Sequence, residues 1–173
     1  DFQRQNAVLA IRAAQLLGLD QQSIERGLRA ARWPGRVEFL RKQAAATSAA
    51  KSISEEALSG EVLLDVAHNP QGVRVLVYYL RSYLTDNCDL QAVVLVMGVL
   101  GRKDWRSMID EFLEFEDELR ISGRAGVHWV FGSSLDADSV DPVALMNYSG
   151  RGTAHVDAHE TLKRANDLSL RSE

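Results

Sequence analysis

The residues of this 173-residue chain best placed to do chemistry are Asp65 and His68. They lie in Asp65-Val66-Ala67-His68-Asn69-Pro70, directly after the apolar Val62-Leu63-Leu64. The run 62–66 is short, branched and almost free of polar groups, which predicts a buried parallel strand. Asn69 is a good N-cap and Pro70 a good first helical residue, so a helix over 72–84 is predicted. The acid and the imidazole then stand at the carboxyl end of a strand and the amino end of a helix. Open α/β sheets bind ligands in that crevice, and free N–H groups with the helix dipole favour an anion such as a phosphate there. An acid ending an apolar strand costs free energy unless it binds something. Two readings remain open on spacing alone. In one, Asp65 accepts from a ribose hydroxyl or similar group and His68 contacts a nucleotide. In the other, Asp65 accepts bonds from the following turn and His68 packs locally.

Three further groups compete for a chemical role. Gly98-x-x-Gly101-Arg102-Lys103 has the look of a phosphate loop but departs from G-x-x-x-x-G-K-[ST], because Asp104 stands where the hydroxyl belongs. A glycine turn leading into a helix capped by Asp104 explains the same residues, with Arg102 and Lys103 still able to reach a charged ligand at the rim. His155 and His159 are four apart, the spacing of a metal pair. Asp157 as a helix cap would leave His155 outside that helix, and no third ligand is near. The single cysteine, Cys88, reads as a half-buried loop residue before a strand rather than a nucleophile.

These groups need elements to hold them. Helices are predicted over 6–17, stopped by Gly18, and from an Asp20 cap through residue 32, broken by Trp33-Pro34-Gly35. A strand is expected over 36–41, then an Ala/Ser-rich connection over 43–60. Strands follow over 91–97, 126–131 and 153–156. They alternate with helices over 105–119, from the Asp141-Pro142 start through 148, and after Asp157, which forms a capping-box pattern with Glu160. Trp105, Met108, Ile109, Phe112 and Phe115 share one helix face and read as core; the acidic 111–118 reads as a solvated face. This alternation predicts an α/β, Rossmann-like three-layer sandwich with a mostly parallel sheet, preceded by two helices. The strand ends at 65–69, 98–104 and 132–134 should line one rim.

Composition narrows the classes. The hydrophobic fraction is 46% and the charged fraction 25%, ordinary for a globular protein. A net charge of −4 gives no basic field for nucleic acid. No apolar run approaches transmembrane length and there is no signal peptide. One cysteine permits no internal disulfide, which fits a cytoplasmic setting. The chain opens on a helix approach at Asp1 and reaches Glu173 without a closing element, an organisation expected of a domain within a longer protein.

Asp-Val-Ala-His-Asn-Pro at 65–70, preceded by Trp33-Pro34-Gly35-Arg36-Val37-Glu38, resembles the C-terminal domain of folylpolyglutamate synthase/dihydrofolate synthase, of the Mur ligase superfamily. Gly98-Val99-Leu100-Gly101-Arg102-Lys103-Asp104 resembles that family's G-x-L-x-D-K-D motif, with Arg102 in place of the usual acid. Phe2-Gln3-x-x-Asn6-Ala7 resembles the end of the family's N-terminal ATPase domain. The resemblance implies that 1–33 is the helical tail of that preceding domain and 34–173 the C-terminal α/β domain. It implies ATP binding through Asn6, Arg36, Asp65 and His68. Arg36 would lie near the phosphates and Asp65 on the ribose or adenine side. Lys103 and Ser133 are its candidates for seating L-glutamate. It further implies Mg2+ held by the N-terminal domain, folate or dihydropteroate as acceptor, amide formation through an acyl phosphate, no activity of the fragment alone, and a monomer at full length. Two alternatives stand beside it. One is another Mur-type ligase acting on a cell-wall precursor or a poly-amino acid; the other is a non-catalytic α/β binding module.

Overall fold

The computed structural model describes residues 2–40, 61–134 and 136–170; the Ala/Ser-rich connection expected over 43–60 lies outside them. The chain divides into two compact units, Asp1–Arg36 and Val37–Glu173.

The first unit holds α1 (Phe2–Leu16) and α2 (Gln21–Ala30). Gly18, at φ +77°, ends α1, and the Leu19 N–H returns to the Ala14 carbonyl at 3.1 Å. Only glycine enters this left-handed stop without strain. Asp20 caps α2, its carboxylate accepting from the Ser23 N–H at 2.9 Å and the Ser23 hydroxyl at 2.6 Å. The Ser23 hydroxyl bond, then the Ser23 N–H bond, hold the Asp20 carboxyl below its usual range. Leu16 and Leu17 are 90% and 80% exposed, and no described residue of α2 is buried.

The second unit contains two sheets. β1 (Glu38–Leu40) and β2 (Val62–Leu64) form an antiparallel pair with Phe39 opposite Leu63. β3 (Ala92–Met97), β4 (Gly126–Gly132) and β5 (Thr153–His155) form a parallel sheet in that order. Helices α3 (Pro70–Asp86), α4 (Trp105–Ile121), α5 (Pro142–Ser149) and α6 (Ala158–Leu170) flank it. The α/β class, the parallel sheet and the two leading helices agree with the sequence. The place of 62–66 does not. This run is not a buried parallel strand: β2 stops at Leu64, pairs antiparallel with β1, and leaves Val66 46% exposed. An apolar run specifies burial of side chains but not the strand that takes its backbone bonds, and β1 takes them here. β3 is also less covered than its composition suggests, being half-buried along most of its length.

The parallel sheet is covered on both faces, as such sheets require. Alternation along β4 sends Trp129 and Phe131 into the main core with Val73, Val77, Ile109 and Phe112; Phe112 meets Trp129 edge-on at 6.3 Å. Gly132 faces the opposite way, where a Cβ would lie 2.8 Å from Thr161 Cγ2 on α6. The core face of α4 is the predicted one: Trp105, Met108, Ile109, Phe112 and Phe115 are all buried. Its acidic 111–118 stretch is not simply solvated. Glu116 accepts from Trp129 Nε1 at 2.9 Å and pairs with Arg151 at 3.2 Å, Glu118 with Arg81 at 2.7 Å, and Glu111 with Arg74 at 2.9 Å. Those arginines come from α3 and from the turn before β5, so charge patterning along α4 alone could not reveal them.

Candidate functional site

Asp65 sits just past β2, half-buried, and spends both carboxylate oxygens on backbone. Oδ1 accepts from the Ala67 N–H at 2.7 Å and Oδ2 from the Val37 N–H at 2.9 Å. The first bond is the turn contact of the second of the two open readings; the second spans 28 residues and ties the start of β1 to the end of β2. A carboxylate oxygen can accept two bonds, and among the described residues each of these accepts one. Val37 has φ +50°, the left-handed region that a β-branched residue rarely enters. His68 is exposed, with Nδ1 3.3 Å from the Val66 carbonyl. Asn69 caps α3 as predicted, its Oδ1 accepting from the Gly72 N–H at 2.7 Å, and Pro70 opens the helix.

The loops after β3 and β4 are joined. A Cβ on Gly98 would lie 3.0 Å from the Gly132 carbonyl oxygen, so the two strand ends meet closely. Leu100 bridges to Ser139, and the Val140 N–H donates to the Val99 carbonyl at 2.9 Å. Asp138 receives the Gly101 N–H on its carbonyl at 2.6 Å and Arg102 Nη1 on Oδ2 at 2.9 Å. Ser133 donates to Ser134 O at 3.0 Å and to Ser139 Oγ at 3.2 Å. Asp104 caps α4 through the Ser107 N–H at 3.3 Å, the turn-and-cap role set out for this motif. Lys103 is half-buried on the same turn, and among the described residues no acid pairs with its ammonium.

The loops bearing Lys103 and Ser133 are thus brought together. The bonds of Asp65 and His68 run instead to Val37, Ala67 and Val66. Asn6 lies on α1, exposed, and Arg36 closes the first unit, half-buried. His155 Nε2 is 3.2 Å from Thr153 Oγ1 on its own strand, while His159 lies in the first turn of α6. Among the described residues no group of three or more His, Cys, Asp or Glu is placed to hold a metal ion. Cys88 is exposed rather than half-buried. Sequence reasoning missed Asp138 and Ser139; the turn composition of Asp136-Ala137-Asp138-Ser139 was the available signal.

No protein-family model matches the chain. It is 29% identical over 116 residues to a folylpolyglutamate synthase of Lacticaseibacillus casei, covering 64% of this chain and 22% of that protein. It is 25% identical over 176 residues to the UDP-N-acetylmuramoyl-L-alanyl-D-glutamate–L-lysine ligase of Streptococcus pneumoniae (strain R6), covering 95% of this chain and 30% of that protein. Its fold matches the Mycobacterium tuberculosis folylpolyglutamate synthase complexed with ADP and AMPPCP. The TM-score is 0.70 at 23% identity, over 99% of this chain and 34% of that one. The chain thus spans about a fifth to a third of the length of these relatives. In sequence the chain is similar to both of these ligases, and its fold is that of the matching part of folylpolyglutamate synthase. The homology is to the C-terminal domain of folylpolyglutamate synthase.

Proposed function

We propose that the chain is the C-terminal domain of a cytoplasmic, ATP-dependent ligase joining L-glutamate to folate, to dihydropteroate, or to both. Residues 1–33 form the tail of a preceding ATPase domain and 34–173 the α/β domain that helps bind ATP and glutamate; the whole protein acts as a monomer. The observation that carries this is Asp65-Val66-Ala67-His68-Asn69-Pro70 folded as a strand end, turn and capped helix, in a chain homologous to folylpolyglutamate synthase. The exposed apolar residues of α1, Leu16 above all, suit a surface that a larger domain covers.

In the reaction, a carboxylate oxygen of the acceptor attacks the γ-phosphorus of ATP, giving an acyl phosphate and ADP. The glutamate amine then attacks the acyl carbon, phosphate leaves, and the amine gives up a proton. This chain's part is binding. Asp65 receives ribose or adenine-side donors on its carboxylate, and His68 and Asn6 contact the nucleotide. Arg36 meets phosphate charge, as a fixed guanidinium does well. Lys103 and Ser133 seat the glutamate. Mg2+, which would neutralise phosphate charge, belongs with the ATPase domain. The domain alone is inactive.

A second reading is favoured by the extent of one match. The muramoyl-peptide lysine ligase aligns over 95% of this chain, against 64% for the Lacticaseibacillus casei synthase. In that reading the acceptor is a UDP-muramyl peptide. The deciding experiment is amino-acid-dependent ADP release by the full-length protein with Mg-ATP, offering dihydropteroate, tetrahydrofolate and a UDP-muramyl precursor in parallel. Glutamate-dependent release with a pterin acceptor is expected, weakened in Arg36→Ala and His68→Ala. Release with the muramyl acceptor alone moves the protein to the cell-wall ligases. No release with any acceptor returns the domain to a binding module.

A further inference from the structure

Asp138 grips the turn that carries Lys103. Its carbonyl accepts the Gly101 N–H at 2.6 Å, and its Oδ2 accepts the Arg102 N–H at 3.3 Å and Arg102 Nη1 at 2.9 Å. A Cβ on Gly101 would stand 3.0 Å from Asp138 Oδ1, so the approach is close. Asp138 is itself held, its N–H donating to Asp136 Oδ1 at 2.9 Å. On the far side of Lys103, the turn is pinned by Trp105, which is buried and whose N–H donates to the Lys103 carbonyl at 2.8 Å. The Lys103 N–H closes the turn onto the Leu100 carbonyl at 3.0 Å.

Among the described residues, this turn offers two adjacent cations and an acid pairs with one of them. An exposed Arg–Asp pair alone stabilises little, but here the same carboxylate also takes a backbone N–H. Arg102 is held by the protein, and among the described residues no acid pairs with the Lys103 ammonium. We propose that Asp138 is a positioning residue: by fixing the Gly101–Arg102 backbone and occupying Arg102, it sets Lys103 as the cation that receives the carboxylate of the incoming amino acid. An ammonium, a compact charge with three donors on a flexible stem, depends on its backbone for placement, and small misplacements in a ligand site have large effects. This rests on the reading of Lys103 as a glutamate contact.

The test compares Asp138→Ala, Asp138→Asn, Lys103→Ala and the Asp138→Ala/Lys103→Ala double variant in the full-length protein. Steady-state kinetics at varied glutamate are combined with mass-spectrometric rates of Lys103 labelling by an amine-reactive ester. Asp138→Ala is expected to raise KM for glutamate on the order of tenfold with little change in kcat. It should change the Lys103 labelling rate severalfold and add nothing in the Lys103→Ala background. Asp138→Asn keeps an oxygen for the Arg102 N–H and should fall between, which separates positioning from unfolding. A raised KM in Lys103→Ala with a normal KM in Asp138→Ala, multiplying losses in the double variant, or an unchanged labelling rate overturns the role of Asp138 alone. A normal KM in Lys103→Ala, or no glutamate-dependent turnover by the wild type, overturns the reading of Lys103 and this inference with it.

Discussion

Asp65 holds the backbone N–H of Val37 at 2.9 Å while Val37 sits at φ +50°, so the carboxylate of the motif stabilises a left-handed β-branched residue at the entrance to β1. Such a conformation costs about 1–2 kcal/mol in an L-residue with a Cβ. The hydrogen bond and the β1–β2 pairing that follows offset it. The residue most suggestive of ligand chemistry is therefore also a structural tie.

That strain makes a prediction about Val37 itself. Val37→Gly and Val37→Ala both lose the branched side chain, but only glycine relieves the backbone. The glycine variant should be more stable than the alanine variant by about 1 kcal/mol. Urea midpoints with equal slopes would measure this; an alanine variant as stable as the glycine one would mean that Val37 is unstrained.

Asp65 predicts a different pattern. Its two oxygens accept two separate N–H groups, so an amide replacement retains one acceptor and turns an NH2 group toward the other donor. Asp65→Asn should lose nearly as much stability as Asp65→Ala, roughly 2–3 kcal/mol in each case. If Asp65→Asn proves as stable as the wild type, the two-bond geometry is wrong. Loss of nucleotide binding in an Asp65 variant is therefore informative only beside His68→Ala, since among the described residues the exposed His68 makes only the local contact to the Val66 carbonyl.

On the far face of the sheet, Gly132 leaves no room for a methyl group beside Thr161 Cγ2. Gly132→Ala should destabilise by about 1–3 kcal/mol through overpacking. Thr161→Ala, which removes that methyl, should recover part of the loss despite breaking the Thr161 hydroxyl bond to the Asp157 carbonyl. A thermal-denaturation double-mutant cycle measures the coupling; strictly additive losses would show that the two residues do not collide.

Tyr83 gives a pH dependence. Its hydroxyl donates to the Glu61 carboxylate, and that bond first, then burial, pushes the phenol up from 10 to about 12. A raised folded-state value means that the neutral phenol is the form the fold favours. The stabilisation is complete below the unfolded value near 10 and is lost as pH rises through about 12. Titration of tyrosinate absorption should show a step near 12 that disappears in Tyr83→Phe; an unchanged high-pH step would refute the assignment.

The sequence by itself determined what local rules control. The caps Asp20, Asn69 and Asp104, the Pro70 and Pro142 starts and the buried face of α4 all follow from interactions within a few residues. The α/β alternation and the family resemblance follow from their order. Tertiary structure alone decided the partners of those elements. Val62-Leu63-Leu64 joined β1 rather than the parallel sheet, because an apolar run carries no label for its hydrogen-bonding neighbour. The acidic stretch of α4 became a row of bridges to Arg74, Arg81 and Arg151, since charges distant in sequence meet only after the helices dock. Asp138 came to grip Arg102 across 36 residues, and Val37 to carry its strain, because closing β1 onto the Asp65 turn fixes a backbone that the side-chain pattern does not encode.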